Sequence, residues 1–149
     1  MRQGTFAALL ALELTTDETG TGCQWHAAAV GDSCLFHVRG EDVLVSFPLD
    51  DPEDFNNRPL LLGSVGPDEK CLNQRTHEGG WQSGDTFYLM TDALACWFLK
   101  NLRERGGLQA TQDASAITDE QGFREWVQAK RDEGSMRNDD CTLVRVTIR

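Results

Sequence analysis

The sequence predicts an α+β fold whose sheets are largely antiparallel. Three observations predict it. Short runs alternating apolar with polar residues recur along the chain, separated by turns rich in Gly, Asp and Ser. Two segments in the second half carry apolar residues at helical spacing instead. The chain then closes on another alternating run, so helices are interspersed among strands rather than alternating with them one for one.

The elements follow in order. Thr5 to Leu14 is apolar almost throughout, a pattern shared by a doubly buried strand and a short helix. Cys23 to Val30 is apolar-rich, with Gln24 and His26 on one parity. Ser33 to Arg39 sets Cys34, Phe36 and Val38 against Ser33, His37 and Arg39. Gly40-Glu41 is a tight reversal, Gly suiting positive φ, and Val43, Val45 and Phe47 alternate beyond it. These runs read as an antiparallel meander. Asp50 to Gln82 is polar and weakly patterned, with an acidic loop "DDPEDFNN" and a short edge segment in "RPLLLGSVG". That loop lacks the ligand spacing and central Gly of an EF-hand. Ser83 to Asp85 is a turn, and Phe87 and Leu89 then oppose Tyr88 and Met90. Ala93 to Arg103 predicts a helix with Leu94, Trp97, Phe98 and Leu102 on one side. Thr118-x-x-Gln121 is a capping-box signal, followed by Phe123, Trp126 and Val127 at helical spacing, so 119–132 is a second helix that Gly134-Ser135 stops. Thr142, Val144, Val146 and Ile148 alternate in a terminal strand.

The totals narrow the function classes. The 149 residues suit one domain over 1–149 with a proper core. With 14 basic and 24 acidic side chains the net charge is −10, which argues against nucleic acid as a partner. No run approaches the roughly eighteen apolar residues of a membrane span, so no membrane partner is expected. Cys23, Cys34, Cys71, Cys96 and Cys141 are scattered and odd in number, which points to reduced, mostly buried thiols and a cytoplasmic setting rather than a disulfide framework.

The acidic residues of interest are those placed at strand ends. Asp32 follows the strand ending at Val30, Asp92 follows the strand ending at Thr91 at a helix entrance, and Asp139-Asp140 precede the strand beginning at Cys141. If the last two strands are antiparallel neighbours, Asp92 and Asp139 share one rim, which Asp32 can join. Converging carboxylates repel one another unless a cation is present, and an all-oxygen site suits Mg²⁺ or Mn²⁺. Each residue also has an ordinary reading: Asp32 as a turn residue, Asp92 as a helix N-cap, Asp139-Asp140 as a solvated turn. The histidines His26, His37 and His77 are widely separated and read as strand-face or loop residues. Trp25, Trp97, Phe98, Phe123 and Trp126 read as core. Arg39, Arg75 and Arg137 are basic side chains among which the sequence does not choose a phosphate partner.

"AAVGDSCLFHVRGEDV", "SGDTFYLMTDALACW" and "RNDDCTLVRVTI" resemble, in order and approximate spacing, the later motifs of the PP2C-type (PPM) metal-dependent protein phosphatases. "GTFAALLAL" is similar to the G-x-T strand that precedes V-G-D-S in that family. The resemblance covers nearly the whole chain. It implies a PP2C-like β-sandwich of mainly antiparallel strands flanked by helices, and makes Thr5 to Leu14 a strand. It matches Asp92 and Asp139 to metal-ligand aspartates and Asp32 to the V-G-D-S aspartate, which in some members helps hold a further, more weakly bound metal. Asp140 falls where many relatives carry Asn, in support of the ligands. The implied cofactors are Mg²⁺ or Mn²⁺, and the implied substrates are phosphoserine and phosphothreonine proteins.

Two departures matter. Ala93 stands where the family's T-D-G motif has Gly, and no D-G dipeptide occurs in the 149 residues. The expected fold therefore lacks the N-terminal part that carries the family's early acidic ligand, its phosphate-gripping Arg and its metal-bridging Asp. Two function readings follow: a metal-dependent protein serine/threonine phosphatase, or a catalytically incomplete PP2C-fold binding or regulatory module. Self-association, or a second chain completing the fold, is expected in either case.

Overall fold

The computed structural model describes residues 6–17, 22–55, 62–63 and 74–149. Its strands are β1 (Phe6–Ala7), β2 (Leu9–Thr16), β3 (Cys23–Val30), β4 (Cys34–Arg39), β5 (Asp42–Phe47), β6 (Leu62–Gly63), β7 (Arg75–Gly80), β8 (Asp85–Met90) and β9 (Leu143–Thr147). The helices are α1 (Asp92–Arg105), α2 (Gly107–Ser115) and α3 (Glu120–Asp132), with a 3₁₀ turn at Pro52–Asp54. Every described strand pair is antiparallel, so the α+β expectation holds. Thr5, Cys71 and parts of the expected loop and edge segment, 56–61 and 64–66, lie outside the described residues.

Two sheets dominate, in the orders β2-β3-β7 and β5-β4-β8-β9, while β1 pairs with β6. Trp25, Ala27 and Ala29 of β3 pack with Leu35, Phe47 and Phe87 of the four-stranded sheet, flanked by Leu10, Leu12 and Leu14. Period-two alternation puts these residues on the facing sides of the two sheets. On the opposite face of the four-stranded sheet, Cys34, Phe36, Val38, Tyr88 and Met90 pack beneath Leu94, Trp97 and Phe98 of α1. β4 is therefore buried on both faces, which its one-sided alternation did not announce.

Several expectations are corrected. The run from Cys23 to Phe47 is not one meander: β3 pairs with β2 and β7, whereas β4 pairs with β5 and β8. The chain changes sheet between Val30 and Cys34. Val43, Val45 and Phe47 do not share a face, because a bulge opposite His37/Val38 sets Val43 against Val38 and Val45 against His37. Gly40 does take φ +60 in the two-residue turn. β7 was missed because RTHEGG is mostly exposed and has no alternation; its strand character comes from pairing with β3. α2 carried no noticed helix signal. The α3 cap is Asp119 rather than Thr118: its Oδ1 accepts from Gly122 N–H at 2.7 Å.

The sandwich interior also holds a charged group. Asp85 is 0% and His37 2% exposed. His37 Nε2 lies 2.8 Å from Asp85 Oδ2, Arg39 Nε donates to Oδ1 at 2.7 Å, Arg39 Nη2 to Oδ2 at 2.9 Å, and Gln82 N–H to Oδ2 at 3.0 Å. The His37 ring stacks on Phe87 at 4.5 Å and meets Trp25 edge-on at 5.7 Å. Burial alone raises the Asp85 carboxyl; the bonds from Arg39, His37 and Gln82 outweigh it and hold the group well below the ordinary carboxylate range. Asp85, expected only as a turn residue, thus ties β8 to β4.

Candidate metal centre

The rim is built where strands change direction. Gly31, at φ +104, turns the chain from β3 toward β4, a conformation that favours glycine, and delivers Asp32 to the sheet end. The Asp32 carbonyl accepts from Cys34 Sγ at 3.5 Å. On the neighbouring strand, Thr91 joins β8 to α1 and the approach to β9. Thr91 N–H donates to Thr142 O at 3.2 Å, Thr142 N–H donates to Thr91 Oγ1 at 2.9 Å, and Thr91 Oγ1 donates to Asp140 O at 3.1 Å. Because that hydroxyl is spent across the rim, it makes no cap bond to α1. Thr91 is the N-cap residue and Asp92 the first helical residue, so the N-cap reading of Asp92 does not hold. A carboxylate at that position is favoured by the helix dipole.

Residues 133–142 bring the remaining acids. Met136 is buried in the core beneath this segment. Asp139 N–H donates to Arg137 O at 3.1 Å, and Asp139 Oδ1 accepts from Asp140 N–H at 2.8 Å. The Arg131 guanidinium donates to the Asp139 carbonyl and approaches Cys141 Sγ at 3.7 Å. Arg137 Nη2 lies 3.4 Å from Asp92 Oδ2, the two side chains being 40% and 26% exposed. β8 and β9 are antiparallel neighbours, with Met90 opposite Leu143, so the end of one does lie beside the approach to the other.

Asp32, Asp92 and Asp139 share one electrostatic neighbourhood. The Asp32 carboxyl is raised by burial, then by the charge of Asp92 and, more weakly, of Asp139, with Arg137 acting against them. Asp140 contributes its backbone to the Thr91 staple, while its side chain is exposed. Among the described residues, no three His, Cys, Asp or Glu side chains are close enough to form a ready-made metal-binding group. Carboxylates are the donor type that a hard divalent ion takes, and the described residues supply that type at these strand ends without gathering three of them into one group. Ala93, standing where the resembled motif has Gly, is buried within α1 and needs no positive φ. Burial pushes the nearby Cys34 thiol up to about 12 and raises Cys141 as well, which disfavours the thiolate form at both.

Sequence reasoning did not single out Arg137, Arg131 or Thr91. Arg137 was one of three arginines without a distinguishing mark. Of the others, Arg39 serves Asp85, and Arg75 Nη1 donates to Pro48 O at 3.1 Å. The sequence clue was that Arg137 lies two residues before Asp139, and using it to place Arg137 beside Asp92 required knowing that β8 and β9 are adjacent.

No protein-family model matches the sequence. No curated protein matches it either. Solved structures do. The photosystem II phosphatase PBCP superposes with a TM-score of 0.56 at 15% identity, covering 97% of this chain and 66% of that one. PppA, a regulatory component of the T6SS in Pseudomonas aeruginosa, superposes with a TM-score of 0.50 at 22% identity, covering 83% of this chain and 52% of that one. Both are PP2C-type phosphatases. The resemblance in the motifs therefore extends to the fold: this chain carries a PP2C-type architecture over a little under two-thirds to about half the length of those chains.

Proposed function

We propose that the chain serves metal-dependent hydrolysis of phosphomonoesters, with phosphoserine and phosphothreonine in proteins as the substrate class. What supports this reading is a PP2C-type sandwich on which Asp32, Asp92 and Asp139 stand at neighbouring strand ends, within reach of one another's charge, with Arg137 3.4 Å from Asp92. Asp92 and Asp139 are the residues that would hold Mg²⁺ or Mn²⁺, with Asp32 beside them. Such ions, when bound, make a water acidic enough to act as a nucleophile and offset charge on phosphoryl oxygens.

The chain's own contribution is placement. The Thr91 hydroxyl ties the Asp92 helix entrance to Asp140, fixing the spacing between Asp92 and Asp139. Arg131 holds the Asp139 carbonyl and so directs its side chain without engaging the carboxylate. Asp140 N–H donates to Asp139 Oδ1 and leaves Oδ2 for another partner. The buried thiols of Cys34 and Cys96 suit a reducing, cytoplasmic setting.

A second reading has an observation of its own. The described residues contain no three-acid metal group, and Asp92 is already paired with Arg137. Both facts favour a PP2C-fold binding or regulatory module, completed by a second copy or another chain. Hydrolysis of p-nitrophenyl phosphate and of phosphopeptides, with Mn²⁺ and with a chelator, separates the two. The phosphatase reading expects chelator-sensitive turnover that falls at least about 100-fold in Asp92→Asn and Asp139→Asn, since even outer partners of metal ligands cost 10–100-fold. Turnover indifferent to both variants overturns it. Folded protein that hydrolyses nothing supports the binding module.

A further inference from the structure

The interior between the two sheets is open along one flank. Among the described residues, β2 is an edge strand of its sheet and β9 an edge strand of the other. Leu10 of β2 lines a cleft of about 220 Å³ together with Leu89 and with Val144 of β9, so these two edges lie on the same side of the sandwich. Leu10, Leu12 and Leu14 alternate toward the interior, yet each is only partly buried. Val144 has the parity of Val146, which joins the interior, and is 48% exposed. Side chains of the inner faces therefore reach solvent between two strand edges.

A strand edge accepts another strand, because its outward N–H and C=O groups have no partner. The four edges of these sheets are not equally guarded. β7 carries Arg75 and Glu78 and ends in two glycines. β5 is bent by its bulge, and β9 is five residues long with Arg145 at its centre. β2 has eight residues, no proline, no lysine or arginine, and Glu13 as its one charge.

The strand that fits beside β2 is a second β2. Residues opposite one another in an antiparallel pair share a face. Setting Leu12 opposite Leu12 of a second copy places Leu10 opposite Leu14 on the inner side and Ala11 opposite Glu13 on the outer side. All the leucines then meet leucines, and no like charges meet. A shift of two residues in one direction opposes Glu13 to Glu13; in the other it leaves Leu14 opposite Ala8. A shift of one residue turns the leucines away from each other. A single register thus satisfies both charge and apolar pattern, and a two-fold axis through Leu12 closes it.

We propose that β2 is a homodimerisation edge: two copies pair antiparallel over Leu9–Thr15, joining their three-stranded sheets into one of six strands and covering the open flank with Leu10, Leu12 and Leu14 of both. The pairing is independent of the metal-dependent reading above.

The test is sedimentation of the full chain over about 1–200 µM, the range in which a micromolar dimer dissociates. The parent should shift from one to two chain masses. Ala11→Glu sets like charges opposite Glu13 at two symmetric places and should weaken the dimer about five- to thirtyfold. Ala11 is exposed and faces Ala28 within its own sheet, so the variant keeps its fold, which circular dichroism checks. Adding Glu13→Lys to Ala11→Glu makes both places attractive and should restore the dimer. In the parent, amide exchange in β2 should slow as concentration rises while that in β7 does not. A single-chain mass throughout the range overturns the inference, even if another protein proves to occupy the edge. So does a dimer indifferent to Ala11→Glu, or one that the second substitution fails to restore. Each of these results leaves the phosphatase reading standing.

Discussion

Asp85→Ala tests how far the sandwich depends on its buried charge. The substitution removes the acceptor of bonds from His37 Nε2, Arg39 Nε and Nη2, and Gln82 N–H. Because an ionised carboxylate only accepts, His37 Nε2 carries the proton in this arrangement. Breaking a buried pair by deleting one partner costs about 3–5 kcal/mol. Arg39 is 41% exposed and regains water when Asp85 is lost, so its share falls toward that of a surface pair, about 0–1 kcal/mol. The 2%-exposed His37 has no such recourse, and an unsatisfied buried donor costs about 1–3 kcal/mol. The expected loss is about 2–4 kcal/mol, or roughly 5–12 °C in Tm for a chain of this size. Urea unfolding followed by circular dichroism measures it. Asp85→Asn keeps the shape and should lose about half as much.

The pH dependence carries its own sign. The folded carboxyl lies below its unfolded value of about 3.9, so its contribution is fully present above that pH and is lost as the pH falls through the folded value. The stability gap between parent and Asp85→Asn should thus be constant above about pH 4 and narrow below it. A loss under about 0.5 kcal/mol for Asp85→Ala, or a gap that widens on acidification, would refute the reasoning.

Two further outcomes come from single contacts. Asp32→Asn should stabilise the protein near neutral pH, by no more than the about 0–1 kcal/mol of a solvent-screened charge interaction, because burial and the neighbouring charges of Asp92 and Asp139 raise the folded carboxyl above its unfolded value. That gain should vanish below about pH 4, where the acid is protonated in both states, and thermal melts across the range check it. Gly79→Ala would set a Cβ 2.8 Å from Nε1 of the fully buried Trp25, which has no room to withdraw, and should cost about 1–3 kcal/mol in denaturant midpoints.

What was legible in the sequence was whatever depends on local alternation. β3, β8 and β9 were readable because Trp25, Phe87 and Val146 recur at period two against more polar neighbours. The pairing of β8 with β9, and hence the nearness of Asp92 to the Asp139 segment, followed from where those runs end. What was not legible depends on partners distant in sequence. RTHEGG becomes a strand only beside β3, and the bulge that turns Val43 over is set by its register with β4. His37 read as a polar strand-face residue because Asp85, 48 positions away, is what makes its burial tolerable. Arg137 was one arginine among several until the fold set it over Asp92.

The claim at the centre is that Asp92 and Asp139 together hold a divalent cation. Calorimetric titration of the chain with Mn²⁺, beside an Asp92→Asn plus Asp139→Asn variant of matching circular dichroism, tests it most directly. Saturable binding by the parent that disappears in the variant is the predicted result. Binding of equal strength in both, or none by folded parent protein, would contradict it.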